Sequence, residues 1–304
     1  MSDPRNAKIL AHVGGELLPR DQAKVSVFDS SVQGGDAVWE GLRVANGRVF
    51  SLDRHLARLF ASAHALGFCA VPSAAEITAA LMSCLSCNGM RDGAHVRLTL
   101  TRGRKVTSGM DPRNNQFGCC LIILPEWKAN ADTRGRPLDP AQPISLITAR
   151  TRRNFAQCLD SRIHHANLLN NILAKLEANA AGADDALMLD VNGLLAETNA
   201  TNVFIVEGDA VSTPIADQCL AGITRGHVIE LCAASGISCR ERRVRLDEAR
   251  AATEFFVTGT LGGITAVGTL DGNSIGIGAR GPVTERLQSV YGALLESSGT
   301  PIPE

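Results

Sequence analysis

The sequence predicts an α+β fold in two domains, and three observations carry the prediction. First, 304 residues with 45% hydrophobic and 20% charged side chains are enough for two cores of ordinary soluble composition. Second, runs that alternate apolar and polar side chains are mixed with runs of helical period. They do not follow the strict strand–helix–strand repeat of a doubly wound sheet. Third, periodicity disappears over Trp127–Pro143 (WKANADTRGRPLDPAQP), which is rich in Pro, Gly and charge. That segment is the expected linker (127–143) between a small N-terminal α/β domain (1–126) and a larger C-terminal domain (144–304).

In the first domain LAHVGGELLP and KVSVFDSSV read as short strands with turn residues between them. AVWEGLRVANGRVFSL reads as a hairpin turning at Asn46-Gly47, a pair that tolerates the left-handed backbone of a tight turn. Leu52, His55, Leu56, Leu59, Phe60 and Ala63 recur at helical spacing. A second helix follows at Ala74–Cys87, and HVRLTLTRG and FGCCLIIL complete the strands. In the second domain ISLITAR is a strand, and Asn167–Ala180 is a helix with Leu168, Leu169, Ile172, Leu173 and Leu176 on one face. Hairpins turn at Asn192-Gly193 and Gly208-Asp209, a helix begins near Thr224, and FFVTGT is a late strand.

The net charge of -1 gives no reason to expect nucleic acid or an anionic membrane as partner. No apolar run reaches the roughly 20 residues that span a bilayer. The N-terminus MSDPRNAKIL lacks the order of a signal peptide, so a cytoplasmic location is expected. The nine cysteines are scattered. Cys84 and Cys87 form a C-x-x-C inside a helical run with no second pair at zinc spacing, so they read as core. Adjacent His164 and His165 have no evident third ligand, and no metal site is expected.

Several stretches carry residues suited to chemistry. Arg58 in HLARLFASA offers a planar fork of donors to an anion. Glu197 lies in the pattern G-x-x-x-E-x-x-x-x-N-x-F, filled by Gly193, Glu197, Asn202 and Phe204. Gly222-Ile223-Thr224-Arg225 opens a helix, where backbone N–H groups bind anions, although Thr224 can equally be a plain N-cap. Thr258-Gly259-Thr260 ends a buried strand, and Gly259 permits close backbone approach. Trp39 and Arg97 stand in AVWEGLR and HVRLTL. Together with SRIHHANLLNNI, in this order and at about these separations, the stretches resemble the class IV aminotransferases. These are the fold-type IV enzymes of pyridoxal phosphate (PLP), and the likeness is greatest to branched-chain and D-amino-acid aminotransferases and aminodeoxychorismate lyase.

The resemblance implies a fold-type IV architecture with an antiparallel-rich sheet or barrel in the larger domain, and a homodimer. It implies that Arg58, Gly222, Ile223, Thr224, Gly259 and Thr260 hold the phosphate of PLP or its amine form (PMP). It implies that Glu197 keeps the pyridine nitrogen protonated, and that Trp39 and Arg97 face a small amino acid or keto acid. Trp39 can also be simple core packing. With one tyrosine in the chain, Tyr291, the family's cofactor and substrate tyrosines are mostly absent, and Leu168 stands where one is common.

The chain departs from the family at its central residue. Where the family's lysine forms a Schiff base with PLP, three residues before Asn167, this chain has His164; Ile163, one position earlier, is not lysine either. Imidazole forms no stable imine of that kind but can act as a base, with an ordinary pKa of about 6.5. Arg162 stays protonated and is no amine nucleophile. Lys175 lies farther along the helix, roughly 16 Å away at about 1.5 Å per residue, and reads as a surface lysine. One expectation is therefore an aminotransferase-like enzyme holding PLP or PMP non-covalently, with His164 as base. A second is a lyase or hydrolase acting on a small carboxylate or amine without PLP. A third is a Lys→His variant or a non-catalytic ligand-binding relative.

Overall fold

The computed structural model describes residues 3–128, 139 and 141–304; most of the expected linker lies outside the described residues. The fold is α+β and divides into two compact units. The first comprises Met1–Pro137, Ile163–Asn167 and Leu295–Glu304, and the second comprises Leu138–Arg162 and Leu168–Leu294. The chain therefore returns twice to the first unit, once with the five residues around His164 and once at its C-terminal end.

The first unit is built on a seven-stranded sheet. Its strands are β1 (Leu10–Val13), β2 (Glu16–Pro19), β3 (Ala37–Ala45), β4 (Arg48–Val49), β5 (Ala94–Thr101) and β6 (Cys120–Trp127), with Thr300–Pro301 on the far edge. The order is Thr300–Pro301, β4, β3, β5, β6, β1, β2, antiparallel throughout. Alternate residues of β5 are buried, as a half-covered strand requires. Asn46 and Gly47 turn the β3–β4 hairpin at φ 50° and 68°. Helices α1 (Ser30–Gly34), α2 (Leu52–Ala65) and α3 (Ala74–Cys87) complete the unit. Helix α2 lies against β3, and α3 lies against β1 and β6. Leu56, Leu59, Ile77, Leu81 and Leu85 join Val38, Leu42, Val96 and Leu98 in one core. Ser73 and Glu76 close a reciprocal cap at the start of α3.

The expected strand KVSVFDSSV does not form. The Asp29 carboxylate accepts from the Ser31 backbone N–H and hydroxyl and caps α1 over Ser30–Gly34. It also accepts from the Thr101 hydroxyl, so a local cap and a tertiary bond together outweigh the alternating pattern.

The second unit holds a nine-stranded mixed sheet. Its strands are β7 (Ile144–Thr148), β8 (Asp185–Leu189), β9 (Leu195–Thr198), β10 (Asn202–Glu207), β11 (Ala210–Pro214), β12 (Cys239–Arg242), β13 (Glu254–Gly259), β14 (Gly263–Leu270) and β15 (Asn273–Ser274). The order is β12, β11, β10, β13, β14, β7, β8, β9, with β15 on β14. Most pairs are antiparallel; β11–β12, β14–β7 and β7–β8 are parallel. Helices α4 (Leu169–Ala181), α5 (Ile223–Ala234), α6 (Leu246–Ala251) and α7 (Pro282–Ser297) accompany it. Central β10 and β13 are buried on both faces, and Phe204 stacks on Phe256 at 4.9 Å between ring centroids. The buried Glu254 carboxylate caps α7, accepting from the Val283 and Thr284 N–H groups and the Thr284 hydroxyl.

The apolar stripe read on α4 faces outward. Leu169, Ile172, Leu173 and Leu176 are exposed, while Ala174 and Ala178 are fully buried against Ala149, Ala186 and Met188. Small side chains let the helix axis approach β7 and β8 closely, and the leucines do not fit in that gap. Ala178→Leu is therefore expected to overpack the seam and cost about 1–3 kcal/mol in urea unfolding. A wild-type midpoint would show that the seam is not close-packed.

Candidate functional site

The family-like residues fall into two clusters, one in each unit. Trp39, Arg58, Arg97 and His164 belong to the first. Glu197, Gly222, Ile223, Thr224, Gly259 and Thr260 belong to the second.

In the first unit His164 is placed by backbone pairing. At residues 37–39 the edge of β3 is not covered by β4, and the short segment Ile163–Asn167 pairs there instead. The Trp39 N–H donates to the His164 carbonyl and the Ala166 N–H to the Ala37 carbonyl. The His164 N–H donates to the Ser62 hydroxyl of α2. Lying beside the strand rather than over one face, the His164 ring meets side chains from both faces. It packs on Trp39 with ring centroids 4.2 Å apart, and its Nδ1 is 3.2 Å from Glu40 Oε1.

Glu40 is fully buried and is the hub of this cluster. Arg58 Nε donates to its Oε1 at 2.9 Å and Nη2 to its Oε2 at 2.6 Å, while His55 Nδ1 lies 2.6 Å from Oε2. His55, Arg58 and Ser62 recur at helical spacing on α2, so one stripe serves both Glu40 and His164. Burial works to raise the Glu40 carboxyl pKa, but the bonds from Arg58, His164 and His55 outweigh it and hold the group well below the carboxylate range. Burial pushes the His164 ring down to about 4 against the pull of Glu40. Arg58 thus turns the fork expected to face a phosphate toward Glu40. Arg97 lies over Trp39, 3.9 Å from the ring centroid, and among the described residues its guanidinium makes no ion pair or side-chain hydrogen bond. Burial lowers its pKa.

In the second unit Glu197 is buried in β9, and Arg153 Nε donates to its Oε1 at 2.6 Å. Arg153 Nη1 donates in turn to Asn170 of α4. Asn202 ties the Leu220–Thr224 and Thr258–Thr260 segments together. Its backbone pairs with Thr258, its Nδ2 donates to the Leu220 carbonyl, and its Oδ1 would stand 2.0 Å from a Cβ at Gly222. Only glycine fits there. Gly222 is the N-cap of α5, which has no side-chain cap bond, and Thr224 is buried in its first turn. The Thr258 hydroxyl is buried without a hydrogen-bond partner among the described residues. Gly259 follows it with Thr201 Cγ2 at 3.0 Å from any added Cβ, and Thr260 is partly exposed.

A family model for class IV amino-transferases matches residues 37–270, the span that contains both clusters. The chain belongs to the class IV aminotransferases. It is 55% identical over 300 residues to branched-chain-amino-acid aminotransferase-like protein 2 of Arabidopsis thaliana, covering 99% of this chain and 53% of that protein. It is 35% identical over 277 residues to a D-alanine aminotransferase of Bacillus licheniformis, covering 90% and 93%. Among solved structures it is similar to a T.th. branched-chain amino acid aminotransferase with pyridoxamine 5'-phosphate. The TM-score is 0.87 at 30% identity, covering 96% of this chain and 95% of that one. The chain spans about half the length of the two plant relatives. No helix among the described residues is long and apolar enough to cross a membrane.

In the sequence Glu40 is marked only as a neighbour of Trp39, His55 only by helical spacing beside Arg58, and nothing marks Arg153 or Asn170. A buried carboxylate needs compensating donors, and that need was the available signal. Sequence did not say which of the chain's many arginines supplies them.

Burial holds the His164 and His95 rings at about 4, below the ordinary 6.5. Between those values the unfolded chain binds more protons than the fold, so stability is full above 6.5 and is lost as pH falls through about 4. His164→Gln should flatten part of that slope in urea midpoints measured across the window. An unchanged slope would mean that His164 does not titrate with unfolding.

Proposed function

We propose that the chain is an aminotransferase-like enzyme that takes PLP or PMP without a covalent bond and acts on a small amino acid or its keto acid. The observation that carries this reading is the donor set of the second unit. It combines a buried carboxylate fixed by Arg153, a helix N-terminus without a side-chain cap behind an obligatory glycine, and a buried Thr258 hydroxyl without a partner among the described residues. These groups fit a protonated ring nitrogen and a phosphate.

When bound, the cofactor supplies an electron-accepting ring. Glu197 would stand beside the ring nitrogen as its proton partner, and the bond from Arg153 orients Glu197. The first N–H groups of α5, the Thr224 hydroxyl and the Thr258–Thr260 loop would hold the phosphate. Arg97, a half-buried cation with no carboxylate paired to it among the described residues, binds the carboxylate of the substrate. Trp39 keeps water from the neighbouring imidazole, and Nε2 of His164 accepts or returns the proton that a lysine amine moves in other members of the family. Similar structures solved with pyridoxamine 5'-phosphate and with N-(5'-phosphopyridoxyl)-L-glutamate support this cofactor class.

Two observations favour a second reading, PLP-independent lyase or hydrolase chemistry on a small carboxylate or amine. The Arg58 fork is already taken by Glu40, and no amine stands at residue 164. Equilibrium dialysis separates the two. PLP or PMP should bind at micromolar levels, and His164→Lys should add a visible imine band. Absence of binding at high micromolar cofactor would favour the second reading.

Thr258→Val supplies a sharper test. It removes an unsatisfied buried hydroxyl, so the cofactor-free protein should gain about 1 kcal/mol in urea unfolding while PLP affinity falls several-fold. Gained stability with undiminished PLP affinity would take Thr258 out of the site.

A further inference from the structure

The histidine in the lysine position is held by more than the backbone. Four contacts fix it: Ser62 on its N–H, Trp39 on its carbonyl, the Trp39 ring against its imidazole, and Glu40 Oε1 at 3.2 Å from Nδ1. Glu40 is itself immobilised by Arg58 and His55, so it cannot turn away from His164 without breaking three other short contacts. An ionised carboxylate only accepts hydrogen bonds, so the atom that faces it must carry a proton. A neutral imidazole with its proton on Nδ1 has a bare lone pair on Nε2.

We propose that Glu40 is the positioning residue of a carboxylate–imidazole dyad: it accepts the Nδ1 proton of His164 and thereby fixes Nε2 as the proton-accepting atom. The role rests on the reading that His164 moves a proton in this enzyme. Among the described residues, the charged and titratable groups that act on the ring agree with the assignment. Glu40 on β3 favours the proton on Nδ1. Arg58 and His55 on α2 disfavour a second proton, as does burial, so the ring stays neutral at physiological pH. Thirteen per cent of the His164 side-chain surface is exposed, against 1% for Glu40, so the dyad is open on the imidazole side alone. The cluster in which Glu40 grips Arg58 therefore gains a second use in this chain, orienting a base that stands where an amine would otherwise be.

The test reads the tautomer directly. In nitrogen-15 histidine-labelled protein without cofactor, the His164 ring is assigned by its loss in His164→Gln. It should show a protonated Nδ1 and a bare Nε2 at neutral pH. A wild-type ring protonated on Nε2, or averaging between tautomers, overturns the proposal. Glu40→Leu removes every acceptor at this place, so it should move His164 toward mixed tautomers; an unchanged tautomer in a folded Glu40→Leu protein also overturns it. If that variant does not fold, the wild-type spectrum still decides. Because no cofactor is present, failure of PLP binding in dialysis would count against the proposed function and leave the dyad standing.

Discussion

A carboxylate taken fully out of water must be surrounded by donors, and Glu40 imposes that constraint on the first unit. An unpaired buried charge costs several kcal/mol, so the fold must bring Arg58, His55 and His164 to it together. That demand fixes which stripe of α2 faces β3. It gives the five residues around His164 a reason to leave the second unit and pair on the exposed edge of β3. The geometry of the candidate base is thus a consequence of how one charge is compensated. An imidazole at this place suits the carboxylate, because it can face Glu40 with one nitrogen and keep the other available.

The second unit solves a different problem, holding polar groups in a mostly buried sheet. Asn202 pairs through its backbone with Thr258, bonds the Leu220 carbonyl through its side chain, and excludes any side chain at Gly222. Three separate segments are brought together in this way. Around them Glu197 and Arg153 form a buried ion pair, with Asn170 taking a further donor of Arg153. The Thr258 hydroxyl is left without a partner among the described residues, a local cost that a bound anion would offset. Features that cost stability and serve no packing purpose are the ground on which this cluster is proposed as a binding site.

Much of this was legible in the sequence, for identifiable reasons. Turns written as Asn-Gly and Gly-Asp, the α2 and α3 periodicities and the G-x-x-x-E-x-x-x-x-N-x-F pattern are local signals, and the hairpins and helices follow them. The sequence places His164 three residues before Asn167, and the structure sets that histidine beside β3 and Glu40. Two kinds of information were not legible. The sequence showed an apolar stripe on α4 but not that alanines, which pack closer, would take the buried side. It showed Arg58 and its donor fork but not its partner, since the competition between a phosphate and Glu40 depends on a contact across the strand–helix layer. The strand expected at KVSVFDSSV failed for the same reason: Thr101, distant in sequence, stabilises Asp29 as a cap.

The central claim is a family scaffold whose cofactor, when present, is not linked to the chain. Borohydride reduction of the protein with PLP, followed by intact-mass and peptide analysis, tests it most directly. The account predicts no stable adduct at the site on wild-type protein and one adduct at residue 164 in the His164→Lys variant. Stoichiometric labelling of wild-type protein at one of its five lysines, Lys8, Lys24, Lys105, Lys128 or Lys175, would contradict it.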